Sequence, residues 1–249
     1  MSNIKVITMD FWETLFFHKG TPEYRKGVRD FALSRYLEQQ NIFDNKEISE
    51  TFFKTVDDKI KHSWSQGICP IERDIINYLY EYYQGKLTSH MIESLLSLIY
   101  DLYINELCPI LVDFGKEFLE WCSQYFALYI ISDTYTLVGK VLDKILLKYD
   151  LLKLFKFRFY SDQIAKQKPD ISAIERILSI EKISSSQILH IGDRVDTDGE
   201  LARVSGCNCI IVRTKIKDSI NKFSGSTHMP IFYCSNLFEV KEIINADIK

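Results

Sequence analysis

The chain has 249 residues, 46% hydrophobic and 26% charged, an ordinary globular composition that excludes wholesale disorder and can bury a core without disulfides or a structural metal. Its 31 Lys and Arg stand against 34 Asp and Glu, a formal net charge of −3, which argues against a dedicated nucleic-acid binder. No apolar run reaches the roughly 18 residues of a membrane span, and the N-terminal residues reach Asp10 before a signal-peptide core could form, so a cytoplasmic protein away from membranes is expected.

The first apolar run, Ile4 to Met9, is rich in β-branched residues and predicts a buried strand. From Thr21 to about Leu107 the pattern turns helical and is almost free of glycine. Thr21-Pro22 is a helix start, and the segment from Tyr24 to Gln39 is expected to bury Val28, Phe31, Ala32, Tyr36 and Leu37 on one face. Asp44 with Glu47 resembles a capping box for a second helix, running to about Gln66. Pro70 opens a third, ending near Gly85, and Thr88 or Ser89 a fourth, through Leu102. Aromatics crowd this region (Phe52, Phe53, Trp64, Tyr78, Tyr80, Tyr82, Tyr83, Tyr100, Tyr103), and at helical spacing they read mostly as bundle core.

After Pro109, helices and strands alternate. Helices are predicted over Phe114–Tyr125, Thr136–Lys148, Ile171–Ile180 and Gly199–Val204, and strands over Phe126–Ile131, Phe155–Tyr160, Ile188–Ile191 and Cys207–Val212. Ile231–Cys234 reads as an edge strand before a terminal helix, and Lys215 to Lys222 as a charged loop in solvent. Alternation of this kind implies βαβ units and a mainly parallel sheet with helices on both faces. The expected architecture is a Rossmann-like α/β core, residues 1–17 and 108–249, interrupted after its first strand by an α-helical domain, residues 18–107. The six cysteines form no CxxC pair and read as reduced core thiols.

In a parallel sheet the functional groups gather past the carboxyl ends of the strands. Those ends carry Asp10-Phe-Trp12-Glu-Thr14, Ser132-Asp133, Lys168-Pro169, and Gly192-Asp193 followed by Asp196 and Asp198. A carboxylate can attack phosphorus, a divalent cation can sit between clustered carboxylates and a phosphate, and lysine and hydroxyl groups can hold phosphoryl oxygens.

In this order and strand context, the four segments resemble those of the haloacid dehalogenase (HAD) superfamily of hydrolases, whose members show DxDxT, Ser or Thr, Lys and GDxxxxD. The resemblance covers about two thirds of the chain, and the helical insertion matches that family's α-helical cap in place and type. It implies Asp10 as nucleophile and Mg2+ ligand, Trp12 as a ligand through its backbone carbonyl, and Asp193 and Asp198 completing the metal site. Asp198 would hold metal waters or Lys168. Thr14 and Ser132 would bind the phosphoryl group, and Lys168 would offset the charge on Asp10. Asp133 would either cap the next helix or join the substrate contacts.

One departure matters. Trp12 occupies the place of the second Asp, which in the family's phosphatases protonates the leaving group. The expected activity is a Mg2+-dependent phosphatase on a small phosphorylated metabolite, acting as a monomer or homodimer. The alternatives are haloacid dehalogenase-type chemistry, since dehalogenases carry an aromatic residue here, and a catalytically weak protein with a binding role. Glu13 and Asp196 read as solvated. His190 reads as a satisfied core histidine. Lys19, Arg25 and Arg29 read as a solvated charged face, with substrate selection as the alternative.

Overall fold

A computed structural model describes residues 3–42, 45–83, 85–212 and 231–248. Six strands form one parallel sheet: β1 (Val6–Met9), β4 (Ala127–Ser132), β5 (Phe155–Tyr160), β6 (Ile188–Gly192), β7 (Asn208–Val212) and β8 (Ile231–Cys234), in the order β5-β4-β1-β6-β7-β8. β1 is central, and the chain winds outward from it in both directions. The sheet therefore has its topological switch point at β1, where crevices open in folds of this kind.

Side-chain alternation gives the sheet two buried faces. On one, Ile7, Met9, Ile130, Ile191 and Ile210 pack against α5 (Gly115–Tyr125), α6 (Gly139–Lys148) and α10 (Leu237–Ile248). On the other, Val6, Tyr129, Ile188, Cys209 and Ile211 pack against α8 (Ser172–Glu181) and α9 (Glu200–Ser205). A short helix, α7 (Ser161–Ile164), follows β5 directly. The six cysteines are all free, four of them buried.

Between β1 and the rest of the sheet lie α1 (Pro22–Gln39), α2 (Asn45–Ser65), α3 (Glu72–Tyr82) and α4 (Ser89–Asn105). Thr21 caps α1 through its side chain, with Pro22 in the first turn, and Thr88 caps α4. The four helices pack together through residues such as Leu33, Phe52, Leu79, Leu95 and Ile99. Their two connections to the sheet meet as an antiparallel ribbon, β2 (Phe16–Phe17) with β3 (Ile110–Leu111), which two-residue strands do not announce in sequence.

Three expectations change. Leu37 is buried as expected, but Phe31 is 69% exposed and α1 buries Arg29 and Leu33 with Leu37, because the stripe that meets α2 and α4 lies on the far side of the helix from Phe31. Tyr80 and Tyr82 also face outward, because α3 buries Ile75 and Leu79. The first strand begins at Val6 rather than Ile4. The capping role of Asp44 and the loop from Lys215 to Lys222 lie outside the described residues. Among the described residues, no helix is long and apolar enough to cross a membrane.

Candidate active site

Parallel pairing sets the site. Met9 pairs with Ile130 on one side and Ile191 on the other, so Asp10, Ser132 and Asp193 emerge side by side from neighbouring strand ends. The chain then folds tightly: Leu15 N and Phe16 N both donate to Phe11 O, and Glu13 adopts a left-handed backbone, φ 56°. The turn buries Thr14, whose Oγ1 has no hydrogen-bond partner. An orphaned buried hydroxyl costs free energy unless a ligand satisfies it.

Lys168, from the loop between α7 and α8, joins the carboxylates. Its Nζ lies 2.8 Å from Asp10 Oδ1 and 2.5 Å from Asp198 Oδ1, all three residues being buried. Burial alone would lower the lysine pKa, but the charges of Asp10, Asp198 and Asp133 overcome it and hold Lys168 protonated. Asp198 is opposed by burial too, yet Lys168 and a 3.0 Å hydrogen bond with His190 Nε2 hold it well below the usual carboxylate range. It also accepts from Arg194 N at 3.0 Å. Gly192 makes this possible, since a Cβ there would sit 2.1 Å from Asp198 Cγ. Burial pushes Asp10 up, and the hydroxyl of buried Ser132 favours its charged form.

Asp193 is the outlier. Burial, then the charges of Asp10 and Asp198, push its pKa up to about 8. Asp10, Asp193 and Asp198 can each offer an oxygen within 4.8 Å of one another. Once Asp193 ionises, three carboxylates stand against one lysine, an excess of negative charge that a cation would neutralise. The donor set is anionic and all oxygen, which suits a hard ion such as Mg2+ and not a thiolate-seeking metal. The residues therefore fit the metal that the resemblance implies.

Asp133 does not cap a helix. Its Oδ1 accepts from Lys168 N at 3.0 Å and so positions the lysine loop, with its pKa pushed by burial up to about 6. Asp162 takes the capping role, accepting from Gly139 N at 2.9 Å. Asp196 points outward and pairs with Arg194. Trp12 stacks on His18, with ring centroids 4.4 Å apart, and meets Phe11 edge-on. It forms one wall of a cavity of about 660 Å³ that also takes in residues of α1, α2 and the loop after β4. Of the three cations read as a solvated face, Lys19 donates to Glu106 O and Arg25 to Gly20 O, but Arg29 is buried, because it lies on the stripe of α1 that faces α2 and α4.

Sequence reasoning passed over two groups here. His190 is the expected core histidine, held by Thr8 at 2.7 Å, but its other nitrogen orients Asp198. The available signal was the pairing of two polar residues, Thr8 and His190, at the same level of adjacent apolar strands. Asp57 gave no signal. It lines the cavity from α2 and accepts from Thr136 Oγ1 at 2.9 Å, and burial raises its pKa.

Comparison with known proteins bears on the fold and the family. No curated protein matches the sequence. A 2-haloacid dehalogenase of Pseudomonas syringae pv. Tomato shares the fold with a TM-score of 0.68 at 16% identity, over 98% of this chain and 99% of that one. A HAD phosphatase of Thermococcus onnurineus gives 0.64 at 15%, over 97% and 98%. A Bacillus subtilis protein described as a HAD-hydrolase, bound to magnesium, gives 0.62 at 19%, over 98% and 99%. At these identities the likeness is one of fold. Residues 7–212 match the family model of haloacid dehalogenase-like hydrolases, and the chain belongs to that family.

Proposed function

We propose that the chain is a Mg2+-dependent phosphatase acting on a small phosphate ester. The observation that carries this reading is the packing of Asp10, Asp193 and Asp198 within 4.8 Å. Attack on a carbon–halogen bond needs no such excess of negative charge, whereas phosphoryl transfer between carboxylates does call for a cation. Asp10, Asp193, Asp198 and the Trp12 carbonyl would hold Mg2+, and the ion, when bound, supplies charge neutralisation at the phosphoryl oxygens.

The residues then take distinct roles. Asp10 Oδ attacks phosphorus, the ester P–O bond breaks, and the leaving oxygen departs with the electron pair. Lys168 opposes the effect of burial and favours the ionised form of Asp10, and it faces charge developing on the phosphoryl group. Thr14 Oγ1 and the Ser132 hydroxyl donate to its oxygens. Water then attacks the aspartyl-phosphate, releasing phosphate and restoring the Asp10 carboxylate. Trp12 offers no proton to the leaving group, so substrates whose leaving oxygen is weakly basic are favoured, since positioned acid catalysis is worth about 10²–10⁴ in rate. The four helices act as a cap that admits substrate and excludes water.

Phosphate release from aryl, acyl, sugar and nucleotide phosphates tests this, with Mg2+, with EDTA, and with Asp10→Asn. Release that needs both Mg2+ and Asp10 is expected. A second reading rests on Trp12, an aromatic residue where dehalogenases of the family carry one. Halide release from haloacids without metal, in the absence of phosphate release, would establish it.

A further inference from the structure

We infer that Arg29 is the recognition group for a second anion on the substrate, a carboxylate or phosphate carried at the end away from the reacting phosphoryl group. As a statement about substrate class, this rests on the phosphatase reading. A buried arginine almost always has an anionic partner. Arg29 is 9% exposed, yet among the described residues no carboxylate oxygen lies within ion-pair distance of it.

Its guanidinium makes direct contact with neutral groups only. Nη1 donates to Tyr103 Oη at 2.8 Å, and Cζ sits 3.8 Å over the centre of the Phe53 ring. Nε is buried without a hydrogen-bond partner. Asp57, the nearby acid that feels its charge, is engaged by Thr136. Two neighbouring cations of α1 are accounted for: Lys26 pairs with Asp30, and Arg25 donates to backbone carbonyls. Stacking and one hydrogen bond thus fix the plane of a guanidinium that touches no carboxylate, an arrangement that can receive an anion.

Position makes this a substrate site. Arg29 lines the same cavity as Trp12, whose segment carries Asp10 and Thr14, and about 660 Å³ is room for a small metabolite. A phosphorylated hydroxy acid or a bisphosphate would place one anion at the strand ends and the other at Arg29. A monofunctional ester would leave the guanidinium unmet.

The test compares wild type, Arg29→Met and Arg29→Lys in Mg2+, each checked for folding by its melting transition. The esters are phosphoglycolate (carboxylate arm), ethylene glycol bisphosphate (phosphate arm) and para-nitrophenyl phosphate, with inorganic phosphate as binding reference. Arg29→Met is expected to lose about tenfold to a hundredfold more kcat/KM on the bifunctional esters than on the aryl ester, chiefly through KM. Arg29→Lys should recover part of that difference. Whichever arm shows the larger loss identifies the second anion. An equal loss on all three esters, or none, overturns the inference and marks Arg29 as structural.

Calorimetric binding separates this from the phosphatase reading. Wild type should bind a bifunctional ester more tightly than inorganic phosphate, and Arg29→Met should erase that advantage. If no ester is hydrolysed but the advantage is present and needs Arg29, the phosphatase reading fails and the anion site stands. If wild type shows no advantage, the anion site fails, whatever the turnover.

Discussion

Replacing Asp193 by Asn should stabilise the protein without metal and abolish its response to Mg2+. In the fold, Asp193 holds its proton up to about 8, against an ordinary 3.8. The folded form therefore binds that proton more tightly than the unfolded chain does. Stability contributed by the protonated group is fully present below the ordinary value and is lost as pH rises towards about 8. Each pH unit in that window is worth about 1.4 kcal/mol, so at about pH 7 a dry carboxyl would cost about 4 kcal/mol relative to low pH. Asp193 is partly exposed, and screening by water reduces this to roughly 2–3 kcal/mol. Asp193→Asn removes that loss, while Mg2+ offsets it in wild type by binding the ionised form. Urea unfolding at about pH 5 and about pH 8, in EDTA and in Mg2+, reads both effects. The variant should be the more stable protein at the higher pH in EDTA, and Mg2+ should raise wild type alone. A variant no more stable than wild type there, or one with an undiminished Mg2+ shift, would refute the reasoning.

Other outcomes follow from the same site. Lys168→Met leaves Asp10 and Asp198 buried without their cation and should cost about 3–5 kcal/mol in urea unfolding, together with phosphate release. Gly192→Ala drives a methyl into Asp198, and should destabilise by about 1–3 kcal/mol or more and weaken Mg2+ binding, read by calorimetry. Trp12→Asp places a carboxyl where the first motif lacks one. It should raise kcat on alkyl phosphates, by about tenfold or more, well beyond any gain on aryl phosphates; equal gains on both would show that proton supply does not limit the native protein.

The alternation of apolar runs made the parallel sheet legible, because central strands buried on both faces read as continuous β-branched stretches. The nearness of Asp10 and Asp193 followed from each standing just past a strand, a position that topology converts into proximity, while Lys168 and Asp198 come from the segments that follow β5 and β6. What stayed hidden was set by packing between distant segments. The burial of Arg29 depends on which stripe of α1 meets α2 and α4, and apolar periodicity pointed half a turn away, to Phe31. The role of Asp133 depends on a loop 35 residues downstream offering a backbone N–H. The link from Asp57 to Thr136 joins segments 79 residues apart.

The ribbon of β2 and β3 has one more consequence. Phe16 faces Leu111 and Phe17 faces Ile110, so the two segments that lead into and out of the four-helix insertion are neighbours about 5 Å apart. Everything between them is topologically a side branch. Its length and sequence can drift without altering the register of any sheet strand, so a lineage could exchange the part that meets the variable end of a substrate while inheriting the carboxylates and the lysine unchanged.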